Sequence, residues 1–264
     1  MESAYRYFGG EGKPPLVILH GLFGSSRNWQ AVAPHLVRHY EVFALDLRNH
    51  GESPHTETMD YSEMLDDLRQ WLDHQDLDPV SLLGHSLGGK VAMAMACRCP
   101  EYVSSLVVVD IAPKRYPPGH DAKLGAMLRL ELSSIRTRSE AEARLHDELN
   151  DWPVVKFLSS NLMRLPDEGF RWRINLTAVA QAVDQLYGNP LSYGNRFDGP
   201  VLFMRGSKSH YIDDLDRDRL ERYFPGYILS TIRNAGHNIH TDNQEAFLAA
   251  MEYFRESCLA PQQR

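Results

Sequence analysis

At 264 residues the chain is long for one ordinary domain but within the range that α/β domains occupy singly. Its 43% apolar and 24% charged residues read as a globular protein large enough to bury a core without staples. A balance of 28 basic against 35 acidic residues argues against a polyanion-binding surface, so no nucleic-acid partner is expected. No run approaches the ~20 apolar residues needed to span a bilayer. The start, MESAYRYFGGEGKPP, lacks the basic-then-apolar pattern of a secretory signal. Of three cysteines, Cys97 and Cys99 lie two apart on an expected helix and point in different directions, so no bridge between them is expected. A reducing cytoplasm is the expected setting.

In chain order, 4–8 is short and aromatic and reads as an edge strand. Residues 16–19 form a buried strand that runs into His20-Gly21-Leu22-Phe23-Gly24-Ser25-Ser26. A glycine-rich loop at the carboxyl end of a central strand is where an open α/β sheet places its ligand. Trp29, Val32, Ala33, Leu36 and Val37 give 29–39 a helical face. The strand 41–47 ends in Asp46-Leu47-Arg48-Asn49-His50, read as a polar network that holds the loop. A helix over 61–72 leads to the strand 80–83, and 103–111 is a further β-branched strand ending at Asp110 and Pro113. Strands and helices alternate without interruption to this point, which predicts right-handed crossovers and a mainly parallel sheet.

The rhythm breaks after Pro113. Residues 114–198 contain no strand-like run; instead 121–132, 139–149, 153–162 and 174–187 have helical spacing. The expected organisation is a first part of a sheet domain over 1–113, a helical lid insertion over 114–198, and the rest of the sheet domain over 199–264. In that last part, 200–205 and 227–232 are strands, 245–254 is a closing amphipathic helix, and 261–264 is expected to fray.

The chemistry concentrates at 80–92, VSLLGHSLGGKVA. Here Gly84-His85-Ser86-Leu87-Gly88 is a G-x-S-x-G pattern between a buried strand and a helix. Such a turn strains the backbone at Ser86, and Gly84 and Gly88 leave the room it needs. A hydroxyl is a poor nucleophile until a base takes its proton, and that base needs an anion to orient it. Among twelve histidines, His237 is best placed, on a loop after the last strand; His240 is the runner-up. His85 is expected to flank the nucleophile. The backbone N–H of Leu22 or Phe23 can complete an oxyanion hole with that of Leu87.

The segments HGLFGSSRNW, DLRNHGESPH, GHSLGGKVAM, VVVDIAP and AGHNIHTDNQEAF together resemble the α/β-hydrolases, in their small esterase and lipase-like branch. The wording HGLFGS with DLRNHG and VDIAP is similar to bacterial and mitochondrial esterases that act on short acyl esters and acyl-CoA thioesters. The resemblance implies an α/β-hydrolase fold, Ser86 as nucleophile, His237 as general base, and Leu87 and Leu22 as backbone oxyanion donors. The acid departs from the common pattern. Most members carry an aspartate in a G-x-x-D turn after the strand matching 200–205, where this chain reads Gly206-Ser207-Lys208-Ser209. Asp213 and Asp214 follow four and five residues later. The similarity to the VDIAP esterases favours Asp110 over either.

The expected activity is hydrolysis of acyl esters or thioesters, short to medium in chain and possible for acyl-CoA, through an acyl-enzyme. Sheets of this kind with the same triad also hydrolyse carbon–carbon bonds or run cofactor-free perhydrolysis, and a non-enzymatic ligand sensor is a further alternative. A dehalogenase or epoxide hydrolase needs a carboxylate at position 86, which Ser86 excludes. No HExxH or comparable spacing occurs, so neither metal nor cofactor is expected.

Overall fold

The computed structural model describes residues 1–166 and 169–259. Its first half runs β1 (Tyr5–Gly9), β2 (Pro15–Leu19), α1 (Ala33–Leu36), β3 (Glu41–Leu45), α2 (Tyr61–Gln75), β4 (Val80–His85), α3 (Leu87–Arg98) and β5 (Val103–Val109). There follow α4 (Asp121–Arg129), α5 (Arg138–Leu149), α6 (Trp152–Ser159), β6 (Leu162–Arg164), β7 (Phe170–Trp172) and α7 (Leu176–Leu186). The chain then returns through β8 (Val201–Gly206), α8 (Arg217–Tyr223), β9 (Ile228–Ile232), α9 (Ile239–Asp242) and α10 (Gln244–Phe254). The fraying expected of 261–264 lies outside the described residues.

Seven strands form one sheet in the order β1-β3-β2-β4-β5-β8-β9. Only β1 runs antiparallel to its neighbour. Alternate residues of each strand face opposite layers. Thus Leu16 and Ile18 join Val107, Leu202, Phe247 and Phe254 in one core, while Val17 and Leu19 join Leu68, Val91, Leu106 and Phe203 in the other. Both faces of the central strands are therefore covered, and this is why 16–19 reads as an unbroken apolar run and 80–83 as one interrupted only by Ser81, whose buried hydroxyl accepts from that of Ser105 at 2.8 Å. Among the described residues no helix is long and apolar enough to cross a membrane.

Two expectations are overturned. In place of one helix over 29–39 there is a 3₁₀ turn at Ser26–Trp29 and the four-residue α1. A helix begun at Trp29 would put Pro34 in its second turn, where the missing N–H and the ring's clash with the carbonyl of Gln30 break it. The stretch 114–198 also contains strands: β6 and β7 pair antiparallel from Leu162–Trp172 to Arg164–Phe170. Three residues are too few for alternation to register in sequence. This small hairpin is held by tertiary packing, since Leu162 and Phe170 enter a third core with Ile135, Leu145 and Val155.

Candidate active site

The carboxyl ends of β2, β4, β5 and β8 and the loop after β9 converge on one edge of the sheet. At the end of β4, Ser86 takes φ 51° and ψ −115°, a conformation that L residues rarely adopt. Its N–H donates to Val109 O at 3.1 Å, and Gly88 N–H donates to His20 O at 3.1 Å, tying the turn to both neighbouring strands. A Cβ on Gly84 would overlap the Gly88 carbonyl, and one on Gly88 would overlap that of Leu19. The turn closes only because both positions are glycine.

Directly after β5, Asp110 is fully buried with φ 54°. Its carboxylate is not left uncompensated: Gly206 N–H donates to Oδ1 at 3.0 Å and the Ser209 hydroxyl donates to Oδ2. His237 Nδ1 lies 2.9 Å from the same Oδ2. With Nδ1–H on the carboxylate, the ring's lone pair sits on Nε2. The ring is clamped by Tyr211, stacked at 3.9 Å and 18°. Its backbone is held by His85, whose Nε2–H donates to His237 O at 2.9 Å. Burial, with His237 and His240 nearby, holds the His85 pKa well below the ordinary value, so that ring stays neutral. Ser86 Oγ makes no hydrogen bond with His237 among the described residues, but both line the same cavity.

The runners-up make none of these hydrogen bonds. His240 is buried against Trp29, stacked at 4.3 Å, with its pKa pushed down to about 4 by burial. Asp213 caps the 3₁₀ turn Asp214–Asp216 by accepting from Leu215 N–H at 2.8 Å, and Asp214 pairs with Arg205 at 3.0 Å.

The loop after β2 carries the other expected donor. Phe23 N–H is engaged by His50 Nε2 at 3.3 Å, whereas the N–H groups of Leu22 and Leu87 have no acceptor among the described residues. Two buried histidines pin this loop. His20 Nδ1–H donates to Gly21 O at 2.8 Å while its Nε2 accepts from Leu47 N–H at 2.9 Å. His50 Nδ1–H donates to Arg48 O at 3.0 Å. Each ring accepts at one nitrogen and donates at the other, a pattern open only to neutral imidazole. Around them Asp46 accepts from Ser26 N–H and Glu52 N–H, and Arg48 pairs with Asp67 at 2.6 Å and Glu63 at 2.7 Å.

Two cavities open on Ser86. One, of about 440 Å³, is walled by Leu22, Leu87, Ile111, Val183 and Leu186. The other, of about 330 Å³, has a more polar wall that includes Asn28, Lys123, Asn238 and Thr241.

A sequence model of the alpha/beta hydrolase fold matches residues 14–244. The chain belongs to the alpha/beta hydrolase fold family. This hydrolase sits in its esterase and lipase branch. It is 36% identical over 249 residues to the sn-1-specific diacylglycerol lipase ABHD11 of Mus musculus, covering 91% of this chain and 80% of that protein. To Esterase YbfF of Escherichia coli (strain K12) it is 34% identical over 241 residues, covering 91% and 92%. A solved marine microorganism esterase superposes with a TM-score of 0.93 at 34% identity, covering 96% of this chain and 99% of that one.

Three residues of the hydrolase's site escape a reading of its sequence. Ser209 and Tyr211 reach Asp110 and His237 only through the fold; the sequence marks Ser209 as the residue at the usual acid position but not as a partner of Asp110, and nothing local marks Tyr211. Lys90 did leave a signal, as a lone charge inside the apolar helix GGKVAMAMA. It is buried one turn beyond Ser86, and its ammonium donates to the carbonyls of Leu186 (3.1 Å), Tyr187 (3.1 Å) and Gly188 (2.6 Å). These carbonyls lie at and just beyond the end of α7, where the helix offers them no partner of its own, so Lys90 ties α3 to that segment. Burial, with Arg115 adding, pushes its pKa down to about 7.

Proposed function

We propose that the protein is a serine carboxylesterase whose catalytic residues are Ser86, His237 and Asp110. The observation that carries this reading is the 2.9 Å contact of His237 Nδ1 with the buried Asp110 carboxylate, beside a serine held in a strained elbow. Ser86 Oγ attacks an ester carbonyl as His237 Nε2 takes its proton. Asp110 keeps the imidazole in the productive tautomer and stabilises the imidazolium. The N–H groups of Leu22 and Leu87 receive the oxyanion, an arrangement in which one donor is typically worth ~3 kcal/mol of barrier. Collapse of the intermediate releases the alcohol with the proton from His237, and water then frees the acid from Ser86 by the same route.

Residues 114–198 act as a lid. What supports this is their small separate core and the contribution of Val183 and Leu186 to the larger cavity. Short to medium acyl chains are the expected substrates, with acyl-CoA thioesters included by the same acyl-enzyme chemistry. The names of the relatives, a diacylglycerol lipase and an esterase, support an ester as substrate. The three free cysteines suit a reducing cytoplasm.

The test is hydrolysis of p-nitrophenyl esters from acetyl to palmitoyl by the wild type and Ser86→Ala, with acyl-CoA substrates in parallel. The expected result is turnover in the wild type that vanishes in a folded Ser86→Ala protein. An alanine variant that keeps wild-type rates overturns the assignment.

A further inference from the structure

The two cavities meet at a shared wall of four residues: Leu22, Ser86, His237 and His120. The first three already have roles in the mechanism. His120 has none, yet it stands where an ester with its acyl chain in one cavity and its alcohol in the other must have its scissile bond.

The ring is held in place. Its backbone N–H donates to Tyr187 Oη at 2.9 Å, its face stacks on the Tyr187 ring at 10°, and its edge meets Phe23 with centroids 5.6 Å apart. Burial, with Lys123, His237 and Lys90 adding, pushes its pKa down to about 4, so it is neutral at ordinary pH. Nδ1 is sealed from solvent with no hydrogen-bond partner among the described residues. A sealed N–H without an acceptor costs more than a sealed lone pair. The proton therefore belongs on Nε2, the ring nitrogen outside that seal. A neutral imidazole N–H is a hydrogen-bond donor that gives up no proton, suited to a developing alkoxide.

We propose that His120 is a second leaving-group residue: its Nε2–H hydrogen-bonds the alcohol oxygen as that oxygen departs from the Ser86-bound intermediate toward the more polar cavity. The inference rests on the esterase reading above. In the step, the carbon–oxygen bond of the tetrahedral intermediate breaks and its electron pair passes to the alcohol oxygen. The carbonyl re-forms, His237 delivers its proton to that oxygen, and His120 keeps its own. An ester oxygen is a poor acceptor in the ground state and a strong one as charge builds, so the bond acts mainly in the transition state. Thioether and thioester sulfur accept weakly, and a thiolate carries its charge more readily than an alkoxide. His120 therefore favours oxygen esters over thioesters, and basic alcohols most of all.

The experiment measures kcat/KM for ethyl, phenyl and p-nitrophenyl acetate and a matched acetyl thioester with wild type, His120→Phe and His120→Gln. All four substrates form the same acyl-enzyme, so differences report the leaving group alone. His120→Phe is expected to lose ~10- to 100-fold on ethyl acetate but under ~3-fold on p-nitrophenyl acetate and the thioester, the worth of one hydrogen bond to a charged oxygen. His120→Gln, which keeps a side-chain N–H, is expected to recover part of the ethyl acetate rate. An equal loss on all four substrates, or no loss, overturns the inference while leaving the esterase reading intact. A wild type silent on every ester overturns that reading and takes this one with it. Should His120→Phe melt early, the substrate profile of His120→Gln decides: a leaving-group-independent change counts against the inference.

Discussion

The Ser209 hydroxyl donates to the same oxygen of Asp110 that faces His237 Nδ1. Ser209 occupies the turn after β8 where most members of the family carry their acid. The position thus has a place in the network: its serine hydrogen-bonds the carboxylate that the end of β5 supplies. Ser209→Ala is expected to lower kcat/KM for p-nitrophenyl acetate about tenfold, the loss of one hydrogen bond to a charged group, with little change in KM. An unchanged kcat would show that Gly206 N–H alone suffices to hold Asp110.

Asp110 and Asp213 make opposite predictions. Asp110→Asn replaces an acceptor with an amide that favours the wrong tautomer of His237, and by analogy costs about 10⁴-fold in kcat. Asp213 caps a 3₁₀ turn and lies 3.4 Å from Lys114. Asp213→Ala is expected to keep the wild-type rate and to lose about 1 kcal/mol of stability, as for a lost helix cap. Steady-state rates and denaturant midpoints of the two variants, measured side by side, test the assignment. The reverse pattern would move the acid to Asp213.

Buried neutral histidines give the fold an acid limit. Burial is the main cause that pushes His50 down to about 3 from 6.5 and lowers His20. Above pH 6.5 these groups are neutral in both folded and unfolded chains and contribute no pH dependence. As pH falls below 6.5, the unfolded chain takes up protons that the folded chain refuses. Stability is then lost at up to about 1.4 kcal/mol per pH unit for each such histidine. Urea denaturation at pH 7.5, 5.5 and 4.5 should show this decline, and His50→Gln, though less stable at pH 7.5, should show a shallower one. Parallel profiles for the two proteins would rule out His50 as a source.

What was legible in the chain follows from the range of the forces involved. The elbow is local: strand, strained serine, helix and the two glycines that relieve overlap lie within a few residues, so G-x-S-x-G in context is nearly a structural statement. The parallel sheet was equally readable, because strands covered on both faces are mostly apolar, and the buried exceptions Ser81 and Ser105 hydrogen-bond each other. Over 29–39 the apolar spacing predicts one helix, and Pro34 breaks it. The β6–β7 hairpin left no trace because three-residue strands have no period of their own.

The sequence by itself determined the fold class, the strained elbow at Ser86 and the loops that flank it. Only the tertiary structure decided which groups meet. Asp110 and His237 are 127 residues apart, and Asp110 and Ser209 are 99 apart. Their contacts arise because parallel strands align all their carboxyl ends on one edge of the sheet. The junction at His120 likewise exists only once 114–198 has folded back across that edge. A pairing of that kind is set by packing between distant segments, and no local pattern of residues encodes it.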